Sequence, residues 1–397
     1  HPSVISWSLG NEVIERKEIR VVQTASKFKA VITALDNTRP VTEALCAWDR
    51  DWEIFDPLAA QHEIVGYNYM IHKAAGDHER LPERVIWQTE SYPRNAFRNW
   101  KLVNYNSYII GDFVWTAIDY LGESSIGRWY YREDKTIPPG EHYTADPKYP
   151  WHGAYCGDID LTGWRKPVSH YRELLYSPET VDTPYLAVRE PDGYHGKIRV
   201  TGWGVWPTWE SWNWPGWEGK DIDVEVYARS GIVSLYLNDE LLGEKEVSEE
   251  TEFKAVFAVP YAPGKLKAVL SEKGSTRETV LATAGEPYAL RVTADRNILT
   301  ADGQDLSFVT IEVVDSEGNI CPDAEIPLSC SIKGNALILA AFGNADLTDE
   351  DPYSDAAHGT WKGRAMAVVR AGYNGGSAKV TFSADGLKSD NVRIKVR

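Results

Sequence analysis

Sulfur is scarce in this chain. Its 397 residues hold 4 cysteines and 2 methionines. The cysteines, Cys46, Cys156, Cys321 and Cys330, are too few and too scattered for a disulfide scaffold. Cys321 and Cys330 fall in one β-rich stretch, where a disulfide and two free thiols are both open readings. No Cys-x-x-Cys and no His-x-x-x-His occurs, which argues against a structural zinc site. A Gly-x-Ser-x-Gly elbow and a glycine-rich phosphate loop are also missing. No run of 18 apolar residues exists, so no membrane-spanning helix is expected. Positive charge is in deficit: 42 Lys and Arg against 58 Asp and Glu leave a net charge of −16. An acidic chain of this kind is a poor match for nucleic acid or an anionic membrane. There is no internal repeat and no low-complexity stretch.

What is present is globular. Hydrophobic residues make up 43% and charged residues 25%, ordinary values for a chain that buries a core. At roughly 100–200 residues per domain the length allows two to four domains. Aromatic residues are abundant, with 16 Trp and 21 Tyr. The chain opens His1-Pro2-Ser3 already inside a hydrophobic strand pattern, so a fragment of a longer protein is expected. The missing leader then says nothing about localisation.

Residues 1–180 alternate short apolar runs with helical periodicity. Strands are expected at Val4 to Leu9, Val41 to Cys46, Ile64 to Tyr69, Arg84 to Glu90 and Tyr108 to Trp115. A helix over 17–36 carries Ile19, Val22, Phe28, Val31, Ile32 and Leu35 at helical spacing, and Asn37-Thr38-Arg39-Pro40 ends it. Strand-helix-strand repetition means a parallel sheet. A (β/α)8 barrel needs eight strands and ~250 residues, so five strands make the second half of a TIM barrel. The stretch Arg132 to Pro150 reads as a long surface insertion. From about 184 onward short alternating strands replace helices, among them Ile222 to Tyr227, Val233 to Leu237 before Asn238-Asp239, Val309 to Val314 and Ala378 to Phe382. That is the pattern of immunoglobulin-like sandwiches. The expected fold class is therefore α/β plus all-β. The expected domains are 1–180 for the barrel half, then β-sandwiches at 184–285 and 286–397, with Gly285-Glu286-Pro287 as the boundary between them.

Two carboxylates close equivalent strands, Glu12 the first and Glu90 the fourth. In a parallel barrel the C-terminal strand ends converge on one pocket, and two facing carboxyl groups suit glycoside hydrolysis. The segment His1-Pro2-Ser3-Val4-Ile5-Ser6-Trp7-Ser8-Leu9-Gly10-Asn11-Glu12 closely resembles the acid/base signature of glycoside hydrolase family 2. The resemblance implies that Asn11 binds the sugar 2-hydroxyl and that Glu12 is the general acid/base. Thr89-Glu90-Ser91 resembles the family's nucleophile strand, which gives Glu90 that role. Tyr108 to Gly122 resembles the eighth strand, with Trp115 as the floor of the sugar subsite. Tyr69 matches the tyrosine that bonds the nucleophile. Tyr67 competes for that match, because the register is open by two residues. In a regular strand Asn68 points away from both. His152, in Trp151-His152-Gly153, is a further candidate to touch substrate.

The resemblance implies a retaining, exo-acting β-glycosidase working by double displacement, of the bacterial β-galactosidase type. A β-glucuronidase would need an Asn-x-Lys element. The corresponding stretch Cys156 to Pro167 offers Asp158 and Asp160 instead, with Arg165-Lys166 as residual cations. Six tryptophans lie between Trp203 and Trp217. Most are expected to pack, one or two to reach the rim of the site, and Trp212-Asn213-Trp214 resembles an element that opens the family's extra sandwich. The rival reading is a non-catalytic carbohydrate-binding module built on this segment, with a degenerate barrel. No metal site and no cofactor is read from the residues; the resemblance brings in Mg²⁺ near the acid/base in some members. A carbohydrate substrate is the expected partner, with neither nucleic acid nor membrane, and a homo-oligomer is an open expectation. The family habit points to a periplasmic or secreted bacterial protein. With half a barrel the isolated chain is expected to be inactive or to need the missing half, supplied by another chain.

Overall fold

The computed structural model describes residues 1–47, 51–131 and 149–397. Within it the chain forms two compact units, His1–Ala117 and Ile118–Arg397.

The first unit is a five-stranded sheet in the order β1 to β5: Trp7–Asn11, Val41–Leu45, Ile64–Asn68, Val85–Ser91 and Ile109–Val114. Every neighbouring pair is parallel. Helices α1 (Ile19–Leu35), α2 (Asp56–Ala59), α3 (Ala74–Arg80) and α4 (Ala96–Tyr105) alternate with these strands. All five residues of β2 are buried, as a strand covered on both faces should be. Its neighbours supply a core of Leu45, Val65, Tyr67, Ile86 and Ile109, closed by Trp52 and Phe55. Helix α1 forms where its periodicity predicts it, but that apolar stripe is only partly used. Ala25 is buried and Val21 and Val22 pack on the core, whereas Ile19, Phe28, Val31 and Leu35 stay exposed. Amphipathic spacing fixes the helix. Whether its far side is covered depends on what is packed there.

The second unit is mostly sheet. It begins with three short strands, β6 (Tyr120–Leu121), β7 (Trp129–Tyr131) and β8 (Gly153–Ala154), and a helix α5 (Pro167–Tyr176). The stretch from Ile118 onward is bonded within this unit: β7 pairs with Ile198–Val200, and the Tyr171 hydroxyl donates to the Glu252 carbonyl at 2.7 Å. Four larger sheets follow. Two four-stranded sheets enclose a core of Leu186, Val188, Trp212, Val224, Leu235 and Phe257. A four-stranded and a five-stranded sheet enclose a second core with Val309, Ile311, Phe342, Val380 and Phe382. Strands such as Lys254–Pro260 alternate buried and exposed residues, the period-2 pattern of a one-sided sheet. Asn238 and Asp239 both take positive φ, 51° and 66°, the backbone of a tight hairpin that suits exposed Asn and Asp.

All four cysteines are free, so Cys321 and Cys330 are not bridged. No helix among the described residues is long and apolar enough to cross a membrane. Of the insertion expected at 132–150, residues 132–148 lie outside the described residues.

Candidate active site

The site forms at the C-terminal ends of the parallel strands. β1 ends at Asn11, and Glu12 follows with φ 47°. Its backbone N–H donates to the Ala44 carbonyl on β2 at 2.9 Å, which fixes the turn. β3 ends at Asn68, and Tyr69 also has positive φ, 60°. The Tyr69 N–H donates to the Glu90 carbonyl at 2.8 Å, so the end of β3 is tied to the nucleophile candidate on β4.

Asn68 is the hub. Its side-chain nitrogen donates to Asn11 Oδ1 at 2.9 Å and to Glu12 Oε1 at 3.0 Å, while Thr89 Oγ1 donates to Asn68 Oδ1 at 2.6 Å. Asn68, Asn11 and Tyr69 also lower the Glu90 pKa. One amide thus bonds Glu12 and acts on Glu90. The alternation rule placed Asn68 on the opposite side, and the structure corrects it. The β3–β4 register shifts between Gly66 and Asn68, and the backbone turns left-handed at Tyr69, so Asn68 and Tyr69 both reach the site. Such shifts are common where a strand re-aims a side chain.

Tyr67 is elsewhere. It is 0% exposed, its hydroxyl donates to Asp77 Oδ2 at 2.5 Å, and Arg84 donates to it at 3.2 Å. Burial pushes its pKa up. It packs among the helices, and the two-residue ambiguity resolves to Tyr69. Trp115 follows β5 directly, through a cis peptide to Thr116, and its N–H donates at 2.9 Å to the carbonyl of Ser91, the residue after Glu90. His152 belongs to the second unit. There Nε2 meets the Tyr353 hydroxyl at 3.0 Å and Nδ1 the Pro150 carbonyl at 3.3 Å.

Opposing influences act on Glu90. Burial pushes the Glu90 pKa up and the charge of Glu12 adds to that, while the bond from Tyr69 and the two amides pull it back. A nucleophile must be ionised, so these donors oppose the cost of enclosing it. Two further residues join the site unannounced. Cys46 is 0% exposed just past β2, and burial, followed by the Glu12 carboxylate, pushes its thiol up. The Tyr92 ring lies 4.6 Å from that of Tyr69. The convergence of strand ends is the sequence signal that points to Cys46, which follows β2.

The charged residues of the stretch Cys156 to Pro167 are paired or bonded within the second unit. Asp158 pairs with Arg172, and Asp160 accepts three bonds from Thr162 and Trp164. Arg165 pairs with Glu173 at 2.7 Å, and the buried Lys166 with Asp119 at 2.8 Å. Both residual cations are therefore engaged inside the second unit. Trp212 is 0% exposed with its N–H on the Ala262 carbonyl at 3.0 Å. Trp209 and Trp214 are buried in the same core. Most of the tryptophan-rich segment packs. Among the described residues one group could approach a metal ion, Asp349, Asp351 and His358, with ligand atoms within 4.8 Å of one another. It is in the second unit, and Asp349 is already bonded by Asn344 at 2.6 Å.

Comparison with known proteins agrees with this geometry. Residues 1–123 match the glycosyl hydrolases family 2 TIM barrel domain, and 290–393 match the family 2 C-terminal domain 5. Residues 219–277 match a domain of unknown function. A beta-galactosidase of Bacteroides ovatus is 26% identical over 99% of this chain and 50% of its own length. A putative beta-glucuronidase of Formosa agariphila is 22% identical over 84% of this chain and 33% of its own length. The crystal structure of a family 2 member from Bacteroides cellulosilyticus is 36% identical with a TM-score of 0.88, covering 100% of this chain and 50% of that one. The chain thus spans half or less of these relatives. With a barrel domain, a C-terminal domain and a carboxylate pair on parallel strand ends, the chain belongs to glycoside hydrolase family 2.

Proposed function

We propose that the whole protein is a retaining, exo-acting β-glycosidase of the β-galactosidase type, and that this chain carries both catalytic carboxylates. The observation behind this reading is the Asn68 amide, which donates to Glu12 and favours ionised Glu90. Glu90 attacks the anomeric carbon while Glu12 protonates the leaving oxygen. Glu12 then takes a proton from the water that releases the sugar. Asn11 holds the 2-hydroxyl, Tyr69 stabilises ionised Glu90, and Trp115 supplies an apolar floor for the sugar ring.

A neutral hexose is favoured over a uronic acid. Arg165 and Lys166, the cations nearest the sequence position of an Asn-x-Lys element, are held by Glu173 and Asp119. The relative matched over 99% of this chain is named a beta-galactosidase. The proposed domains are a barrel half at 1–180 and immunoglobulin-like sandwiches at 184–285 and 286–397, supported by the two separate β cores. A periplasmic or secreted location and a homo-oligomer are part of the same reading.

The test is turnover of nitrophenyl β-galactoside, β-glucuronide, β-mannoside and β-glucoside by the complete protein, with Glu90→Gln as control. One substrate should turn over, and the variant should lose ~10³-fold or more. Undiminished turnover in the variant would overturn the assignment of Glu90, and hydrolysis of the glucuronide alone would overturn the sugar.

A further inference from the structure

The second unit contains a cleft that the catalytic reading does not use. It lies between the segment Trp209–Trp214 and the last β-rich part. An inner cavity of about 70 Å³ is lined by Tyr194, Trp209, Glu210, Trp214 and Lys362, among others. It adjoins an open cleft of about 370 Å³ that shares Trp164, Glu210 and Arg364 with it. The larger volume is in the range of small-ligand sites.

Its lining is built but unsatisfied. Trp214 is only 5% exposed, yet its indole N–H has no hydrogen-bond partner. A buried donor without a partner is costly, and a ligand acceptor is one way to meet it. The rings of Trp164 and Trp209 lie parallel, 6.3 Å apart at 13°. Tyr194 stands edge-on to Trp214 at 5.2 Å. Lys362, held at φ 51°, sets its ammonium 4.7 Å from the Trp209 ring. Glu210 stands at the mouth, exposed as a residue. Its carboxyl is enclosed enough for burial to push the pKa up, with Arg364 opposing.

We propose that this cleft binds a neutral hexopyranoside, as a second carbohydrate site of the chain. The cavity offers an indole donor, an ammonium, a carboxylate and aromatic walls together. Sugar hydroxyls donate and accept, so one ligand can meet all three polar groups while its C–H faces lie on the rings. Glu210 and Asp323 balance Lys362 and Arg364 in the lining, which favours an uncharged ligand over a uronate or an amine. The inference stands whether or not Glu90 is the nucleophile.

The test is calorimetric titration of the chain with methyl β-galactoside, methyl β-glucoside, methyl β-mannoside and lactose. At least one should bind, and Glu210→Ala should weaken binding roughly tenfold or more, the worth of a charged hydrogen bond. Trp214→Phe should weaken it, and Glu90→Gln should leave it intact. Tighter binding of lactose than of the monosaccharides would mark the occupant as part of a longer glycan, and equal binding a single sugar. No binding of any probe would overturn the proposal. So would binding that is lost in Glu90→Gln and indifferent to Glu210→Ala. Glu210 is exposed, so its variant keeps the test open if Trp214→Phe does not fold.

Discussion

At the scale of single residues the molecule turns on amides and charges held where water is scarce. Asn68 reaches Glu12 and, with Tyr69, Glu90. Asn68→Ala should lower kcat/KM of the whole protein by roughly 10- to 100-fold, as loss of a hydrogen bond to a charged group implies. The Tyr69 bond lowers the Glu90 pKa against burial. Removing it in Tyr69→Phe lets that pKa rise, and the nucleophile must be ionised. The acid limb of the kcat/KM profile should therefore move to higher pH, and an unmoved limb would separate Tyr69 from Glu90 ionisation. The second unit has its own buried charge pair. Burial raises Asp119 to about 6, with Lys166 the leading opposing influence. Its folded pKa exceeds the unfolded one, so the native state keeps a proton that the unfolded chain releases. Stability from this site falls as the pH rises from 3.8 to about 6. Among the described residues, Lys166→Met leaves the carboxyl with no charged partner and only the Gly157 N–H as donor, at a cost of about 3–5 kcal/mol when it is ionised. Urea melts should show a small loss at pH 5, where Asp119 is protonated, and a large one at pH 8.

At the scale of elements, strand ends do the positioning. β3 runs so close to its neighbours that a Cβ on Gly66 would meet the Glu43 carbonyl at 2.7 Å and the Thr89 side chain at 2.8 Å. Thr89 is the residue that anchors Asn68. Gly66→Ala should therefore cost about 1–3 kcal/mol by overpacking and reduce activity together with stability. A denaturation midpoint that does not move would show that the strand relaxes freely. The strands and α1 were legible from apolar runs and periodicity, because both reflect burial along the local chain. The re-aiming of Asn68 was not. It depends on a register shift between β3 and β4, and pairing partners are not written in either strand alone.

At the scale of the whole molecule, the cores are separate. The core around Leu45, Tyr67 and Ile86 belongs to the first unit, and that around Trp212 to the second. Trp212 is 0% exposed and its truncation leaves a large cavity. Trp212→Ala should cost about 3–5 kcal/mol and lower one calorimetric transition of the chain while another stays in place. A single transition that shifts as a whole would show that the two units melt together.

The sequence by itself determined the family, the parallel strands, and Glu12 and Glu90 as the carboxylates to examine. These are carried by local words such as Gly10-Asn11-Glu12 and Thr89-Glu90-Ser91. Tertiary structure alone decided which tyrosine joins Glu90, that Asn68 and Cys46 face the pair, and that Arg165 and Lys166 are already engaged. The physical reason is common to all three. A side chain's partners are set by strand register and by what packs across from it, and neither is a property of its neighbours in sequence.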